Sequence, residues 1–269
     1  MEENILGITK LINSLLGKPA LALLSALHIQ PDNPQYPIPN HVAMELLLLV
    51  LAAVFFLWLR SRLSVDNPGG TQQCIELLLH NSMNLGVMDL LESNIGRGAG
   101  QYLPMIGSVG LFILMANLMS IVPGLSSPTA ETSVPLGCAI VVFIYYNWCG
   151  LSKHGPLGYG KHFLGPTLAL SPLMVVIEAV SHLARLLSLT VRLWVNMMVS
   201  EMLYVIFLGL TVSLFAFAGN ASPVGYALAP VPLLAMVFVI LHIFVAFVQA
   251  FVFTILPVIY LSGAVAGGH

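Results

Sequence analysis

The feature that most constrains this chain is an apolar run from about Leu168 to about Ala218 that contains charged residues. At 1.5 Å per residue, one helix of that length would be more than twice the ~30 Å thickness of a bilayer's hydrocarbon core. We therefore predict a helix that tilts strongly, bends, or runs partly along the membrane surface. An arginine at mid-membrane depth costs roughly 2.5 kcal/mol or more, so such a side chain must face protein or water rather than lipid.

The polar residues of this run form one seam on the predicted helix. They are Glu178, Ser181, His182, Arg185, Arg192, Asn196 and Ser200. At about 100° per residue they share a stripe about 100° wide, while apolar side chains cover the rest of the surface. Arg192 is the central residue of the seam, because a guanidinium keeps its charge even when it is buried.

The composition predicts an integral membrane protein. Of the 269 residues, 58% are hydrophobic and 7% are charged, whereas a soluble domain has about 25% charged residues. The net charge of −2 and the lack of a basic cluster exclude a nucleic-acid-binding face. Cys74, Cys138 and Cys149 form no CxxC pair, so we predict neither a metal site nor a disulfide, and no cofactor.

The apolar pattern predicts an all-α fold with about five transmembrane helices and one amphipathic surface helix. We expect residues 1–40 to form a tail and a proline-rich linker, and residues 41–269 to form a single membrane domain. The predicted helices cover residues 41–62, 72–95 (the surface helix), 103–123, 134–150, 168–218 and 228–264. The last two are long and inclined, and they form a hairpin that turns at residues 219–230.

The distribution of basic residues predicts the orientation. With five crossings and the N-terminus outside, five basic residues fall on the cytoplasmic side, whereas Lys10 and Lys18 fall on the outer side. The five are Arg60, Arg62, Arg97, Lys153 and Lys161, and the last two belong to a predicted polar loop at residues 151–165. This orientation puts the C-terminus in the cytoplasm, Glu178 near the cytoplasmic end of the long helix, and Glu201 toward the outside.

One motif in the long helix resembles a known family. Arg192-Leu193-x-x-Asn196-Met197-x-x-x-Glu201, with Gln249 on the last helix, is similar to subunit a of the F-type ATP synthase. The stretches NPGGTQQCIELL, FILMANLMSIVPG and LHIFVAFVQAFVFTILPVIYLS look like the same family, so the resemblance covers most of the chain. It implies a stator subunit packed against a rotating ring of c subunits, together with a b-subunit peripheral stalk and the remaining synthase subunits. We expect the membrane to be a bacterial inner membrane.

The resemblance also implies roles for individual residues. Arg192, with Gln249 and Asn196, would face the membrane carboxylate of each passing c subunit, keep it ionised and separate two offset proton half-channels. A buried lysine could lose its proton, which explains the need for arginine. The outer half-channel would contain Glu201 and His242, and the inner one Glu178, Ser181, His182 and Arg185. If the two long helices are antiparallel, Glu201 lies near His242 and Arg192 lies near Gln249.

Each of these residues also has a purely structural interpretation. Arg192 could neutralise Glu201 or Glu178, and Glu178 with Arg185 could form a structural ion pair. His242 could be a hydrogen-bonded core residue, and Gln249, Asn196 and Asn117 could join helices by hydrogen bonds.

Two other classes of function remain open from the residues alone. A secondary transporter could bind an anionic substrate at Arg192, but it predicts inverted repeats that the sequence lacks. A membrane scaffold without transport leaves the intramembrane charges unexplained. The chain has no G-x-x-x-x-G-K-[ST] phosphate loop, so we expect it not to be an enzyme on its own, and ATP chemistry to reside in partner subunits.

Overall fold

The chain is α-helical in a computed structural model that describes residues 7–26, 28, 33, 35–64, 68–81, 86–96, 98–122, 124–164, 171–218 and 231–265. The helices are α1 (Gly7–Ala26), α2 (Asn40–Arg62), α3 (Gly70–Leu79), α4 (Val87–Ile95), α5 (Leu103–Met119), α6 (Ser133–Leu164), α7 (Ser171–Ala218) and α8 (Val231–Val265). Short 3-10 turns occupy Ala99–Tyr102 and Pro128–Ala130. Those ranges contain no strand, which confirms the predicted all-α fold.

Five helical segments in the described part of the chain are long and apolar enough to cross a bilayer. They are Asn40–Arg62, Ala99–Met119, Ser133–Gly155, Leu173–Ala216 and Ala235–Val265. Their number agrees with the five predicted crossings, and the protein is a multi-pass membrane protein. The tilt of the two long helices, the orientation of the chain and its division at residue 40 stay predictions.

The predicted surface helix at residues 72–95 is two helices, α3 and α4. His80 has an extended backbone (φ −127°, ψ 124°) that ends α3. The Asp89 carboxylate, in the first turn of α4, accepts the backbone N–H of Asn81 at 2.7 Å and lies 2.8 Å from His80 Nδ1. In a continuous helix the Asn81 N–H would bond a backbone carbonyl one turn earlier, but here it bonds the Asp89 side chain instead. The prediction of one helix was therefore wrong.

The Asp89 link predicts a pH-dependent connection between α3 and α4. The Asn81 N–H and His80 hold the pKa of Asp89 below its ordinary value. Because the pKa is lowered in the folded state, the ionised Asp89 carboxylate stabilises this connection at pH values above its ordinary pKa. That stabilisation is lost as the pH falls through the lowered pKa. We expect Asp89→Ala to speed hydrogen exchange of the Asn81 amide several-fold at neutral pH, measured by mass spectrometry. Glu92→Ala, on the same helix, is the control and should leave that exchange unchanged.

The third crossing continues beyond its predicted end. We predicted a helix at 134–150 and a polar loop at 151–165, but α6 runs to Leu164 and is interrupted only at Gly155 (φ 70°, ψ 167°). The loop prediction was wrong because lysine and histidine end an apolar run without ending a helix. Gly155 supports the interruption, since its positive φ is one that other residues rarely adopt.

Some predicted features lie outside the described residues. They are the turn at 219–230, Arg97, and the predicted starts of the long helices at 168–170 and 228–230. Within the predicted N-terminal tail, residues 7–26 form α1. The Asn13 side chain ties this helix to the linker, because it both donates to and accepts from the backbone of Ile38, each at 3.0 Å.

The chain divides into two compact units. Unit 1 consists of Met1–Leu57, Leu114–Glu131 and Asn196–Ala246, and unit 2 of Trp58–Ile113, Thr132–Val195 and Phe247–His269. In unit 1, α7 and α8 run antiparallel. The Phe207 and Phe238 rings stack at 4.1 Å, while the Tyr204 ring stacks on His242 at 5.9 Å. A step toward the N-terminus of α7 is thus matched by a step toward the C-terminus of α8, as a hairpin requires.

Unit 2 is held together by close contacts of α8 with three other helices. A side chain at Gly110 of α5 would collide with Thr254 Oγ1, so the two helices approach closely there. The Tyr146 ring of α6 lies 6.0 Å from the Tyr260 ring. The Ser262 hydroxyl donates to the Asn94 carbonyl at 3.0 Å, which joins α8 to α4.

Candidate functional site

His242 is the centre of a buried polar group in unit 1. Its side chain on α8 is 1% exposed. Ser120 Oγ lies 2.8 Å from Nε2, and Ser200 Oγ lies 2.7 Å from Nδ1. Each ring nitrogen therefore has a hydroxyl within hydrogen-bond distance. An imidazole held in this way can accept a proton at one nitrogen and release it from the other.

Hydrogen bonds extend from His242 to the loop after α5. The Ser120 hydroxyl donates to the Asn117 carbonyl at 3.3 Å, and the Asn117 amide donates to the Ala246 carbonyl at 3.4 Å. The Thr129 hydroxyl donates to Asn117 Oδ1 at 2.6 Å and lies 2.6 Å from Ser127 Oγ. The loop between α5 and α6 is therefore attached to the same polar group as α8.

Glu201 is the acidic member of this group. Its side chain is partly buried on α7, and Oε1 accepts the backbone N–H of Ser127 at 3.4 Å. Oε2 is buried and has no hydrogen-bond partner among the described residues. Hydrogen bonds connect Glu201 to the imidazole of His242 by way of Ser127, Thr129, Asn117 and Ser120. We call Asn117, Ser120, Ser127, Thr129, Ser200, Glu201 and His242 the unit 1 polar group.

A second polar group lies in unit 2, and we call Tyr146, Glu178, His182, Arg185 and Tyr260 the unit 2 polar group. Glu178 Oε1 lies 3.4 Å from His182 Nε2 and 3.8 Å from Arg185 Nη2. The Tyr146 hydroxyl lies 2.7 Å from His182 Nδ1, and the Arg185 guanidinium lies 5.5 Å from the centre of the Tyr260 ring. The rings of Tyr146 and His182 are stacked with their centroids 5.8 Å apart. One carboxylate thus has two basic neighbours, which the ring stack and the cation-π contact orient.

Arg192 is on the exposed side of α7 in unit 2. One turn earlier on the same helix, Ser188 Oγ accepts a bond from Arg192 Nη2 at 3.4 Å. The preceding Val191 is 48% exposed, and Val195, one turn later on the same face, is partly exposed. Arg192 is therefore an exposed cation on an apolar surface, within a segment long enough to span a membrane.

The other predicted site residues have the following places. Gln249 is buried on α8 in unit 2, Ser181 is partly buried on α7 in unit 2, and Asn196 is partly buried on α7 in unit 1. The predicted proximity of Arg192 to Gln249 stays a prediction.

Several partners were missed by sequence reasoning. Ser120, Ser127, Thr129, Tyr146 and Tyr260 lie beside the predicted residues without having been predicted. Only their polarity within or next to apolar runs could have indicated them, and hydroxyl side chains are ordinary in such places.

Comparison with known proteins identifies similar chains. The family model described as ATP synthase A chain matches residues 42–262. ATP synthase subunit a of Koribacter versatilis (strain Ellin345) is 41% identical over 264 residues, which cover 98% of each chain. ATP synthase subunit a of Solibacter usitatus (strain Ellin6076) is 43% identical over 236 residues, which cover 87% of this chain and 90% of the relative. The subunit a of Sulfurihydrogenibium sp. (strain YO3AOP1) is 34% identical over 226 residues, 84% of this chain and 97% of that one.

Proposed function

This chain belongs to the ATP synthase A chain family, and on that premise we propose that Arg192 and the two polar groups carry its part in proton translocation. It is the proton-translocating stator subunit of an F-type ATP synthase and a component of that complex. We further propose that the subunit contacts a ring of c subunits and a b-subunit peripheral stalk. We also propose that it has no enzymatic activity on its own. The proposed membrane is a bacterial inner membrane, with the N-terminus outside and the C-terminus in the cytoplasm.

The exposure of Arg192 is the observation that carries the proposal. A guanidinium on an apolar membrane surface is unfavourable against lipid, so a protein partner must cover it. The membrane carboxylate of a c subunit is the partner that fits its charge. Opposite Arg192 this carboxylate is held ionised and releases its proton, whereas carboxylates of the ring that face lipid must be neutral. Gln249 and Asn196 help to position the arginine.

The unit 1 polar group is proposed as the outer half-channel. His242 and Glu201 are its titratable members, and the hydroxyls of Ser120 and Ser200 hold the imidazole at both nitrogens. Protons arriving from outside would pass through this group to the ring.

The unit 2 polar group, with Ser181, is proposed as the inner half-channel. Glu178 lies between His182 and Arg185, so its charge is compensated while it exchanges protons with the cytoplasm. The phenol of Tyr146 orients His182 and is a further hydroxyl on this path.

Accessibility of introduced cysteines tests the assignment of the two paths. In a chain without Cys74, Cys138 and Cys149, we expect cysteine at Glu178 or Ser181 to react with a water-soluble thiol reagent from the cytoplasmic face. Cysteine at Glu201 or His242 should react from the outer face. Labelling is measured in oriented vesicles that contain the whole complex.

The control for this experiment is Val180→Cys, on the exposed apolar surface of α7, which should react slowly from both faces. If all four test positions reacted from one face only, the assignment of two separate paths would be wrong.

A further inference from the structure

A cavity of about 430 Å³ lies beside Glu201, and nothing in the proposed path accounts for it. The lining residues that matter here are His41, Ser126, Ser127, Ala130, Glu131 and Glu201. All of these residues belong to unit 1. Since one water molecule takes about 30 Å³ of liquid volume, the cavity has room for several.

The lining of the cavity has two different sides. The start of α2 and the loop between α5 and α6 supply polar and titratable groups, chiefly His41 and Glu131. The α7 helix supplies Glu201 on an otherwise apolar wall of methionine, valine and isoleucine. Polar groups on one side and an acid on the other suit ordered water better than an apolar ligand.

Glu201 connects this cavity to the polar group around His242. Its Oε1 is held by the Ser127 N–H, and its buried Oε2 has no partner among the described residues. Ser127 and Glu201 belong both to the cavity wall and to the unit 1 polar group. Ser127, Thr129 and Asn117 therefore connect Glu201, by hydrogen bonds, to the Ser120 hydroxyl that contacts His242.

Glu131 and His41 differ from Glu201 in exposure. Glu131 is exposed and His41 is partly buried, so both can exchange protons with water more readily than Glu201. They are also the titratable residues that line the cavity together with Glu201, one from the loop and one from α2. A histidine and a carboxylate at a polar opening can collect protons and pass them inward through water.

From this arrangement we infer that the cavity is the water-filled mouth of the proton path, and that His41 and Glu131 collect protons there for Glu201. The inference rests on the proposed outer half-channel and adds its entrance and two residues. The cavity would bind water molecules, and these would carry the proton to Glu201.

Blocking the cavity tests the inference. In the chain without native cysteines, Ser126→Cys is treated from the outer face with a trimethylammonium methanethiosulfonate, and proton flux is measured in vesicles containing the whole complex. We expect at least a tenfold loss of flux after labelling. Ala130→Cys is a second position in the wall, to be used if Ser126→Cys fails to assemble. Ser14→Cys, exposed on α1, is the matched control and should lose less than half of its flux.

The outcomes separate this inference from the proposed function. Complete labelling at Ser126 or Ala130 with unchanged flux would overturn the cavity as the entrance, and so would a failure of both positions to react from outside. If flux survives the label but Glu201→Gln stops it, the proposed function stands and protons enter elsewhere. If neither change affects flux, the proposed function itself fails.

The two collecting residues have a separate readout. Glu131→Gln and His41→Gln remove titration while keeping a polar side chain of similar size. We expect each to lower flux several-fold and the double variant to lower it further, with a larger effect at low outer proton concentration. A role confined to structure would change flux equally at all proton concentrations, and that result would contradict proton collection.

Discussion

Replacing Arg192 with alanine is expected to abolish proton-driven ATP synthesis while the complex still assembles. Two unit charges about 4 Å apart at an effective dielectric of about 20 interact by about 4 kcal/mol, which corresponds to about a thousandfold in rate. Without the guanidinium, nothing at this position favours the ionised ring carboxylate. ATP synthesis driven by an imposed proton gradient, in vesicles with purified complex, measures the loss.

Two further variants sharpen this prediction. Arg192→Lys should fail nearly as badly, because a buried lysine can lose its proton and lacks the planar fork. Arg62→Ala removes another exposed arginine, one that lies against Trp58 at the end of α2, and should leave the rate within about twofold. A normal rate in assembled Arg192→Ala complex would show that the cation is not required.

Replacing Glu201 with glutamine is expected to slow proton flux about a hundredfold, a typical contribution of a positioned acid or base. Glutamine can still accept the Ser127 N–H through its carbonyl oxygen, so the fold around the loop should persist while the titratable group is lost. Flux through the complex, driven by ATP hydrolysis or by a gradient, is the measurement. Glu76→Gln, an exposed glutamate on α3, is the matched control and should leave flux unchanged.

His242 provides the second half of this prediction. His242→Gln keeps a polar side chain between Ser120 and Ser200 but cannot carry a proton, and it should lower flux about as much as Glu201→Gln. The double variant should be little slower than either single one, because two steps of one path are not additive. A double variant slowed by the product of the two single effects would indicate independent paths.

The places where structure and sequence disagree have a common cause. Hydropathy could not separate α3 from α4, because the break depends on one hydrogen bond. In it, the Asp89 carboxylate at the start of α4 accepts the backbone N–H of Asn81, just after α3. Hydropathy also placed the end of the third helix too early. It shows where the apolar residues stop, whereas the helix continues as long as its backbone hydrogen bonds do. In both cases the error concerned a boundary and left the number of crossings unchanged.

The sequence by itself determined that this chain crosses the membrane five times and that Arg192 occupies the middle of its longest helix. Both follow from the energy of transferring side chains into hydrocarbon, which is a sum over residues of one segment and needs no knowledge of the neighbours. Tertiary structure decided which hydroxyls hold His242, which helices compose the group around Glu178, and where the cavity beside Glu201 opens. Those features depend on the offset and rotation of the packed helices. If one helix shifted by one turn, about 5.4 Å, against its neighbours, the hydrogen bonds would break and the cavity would have a different lining.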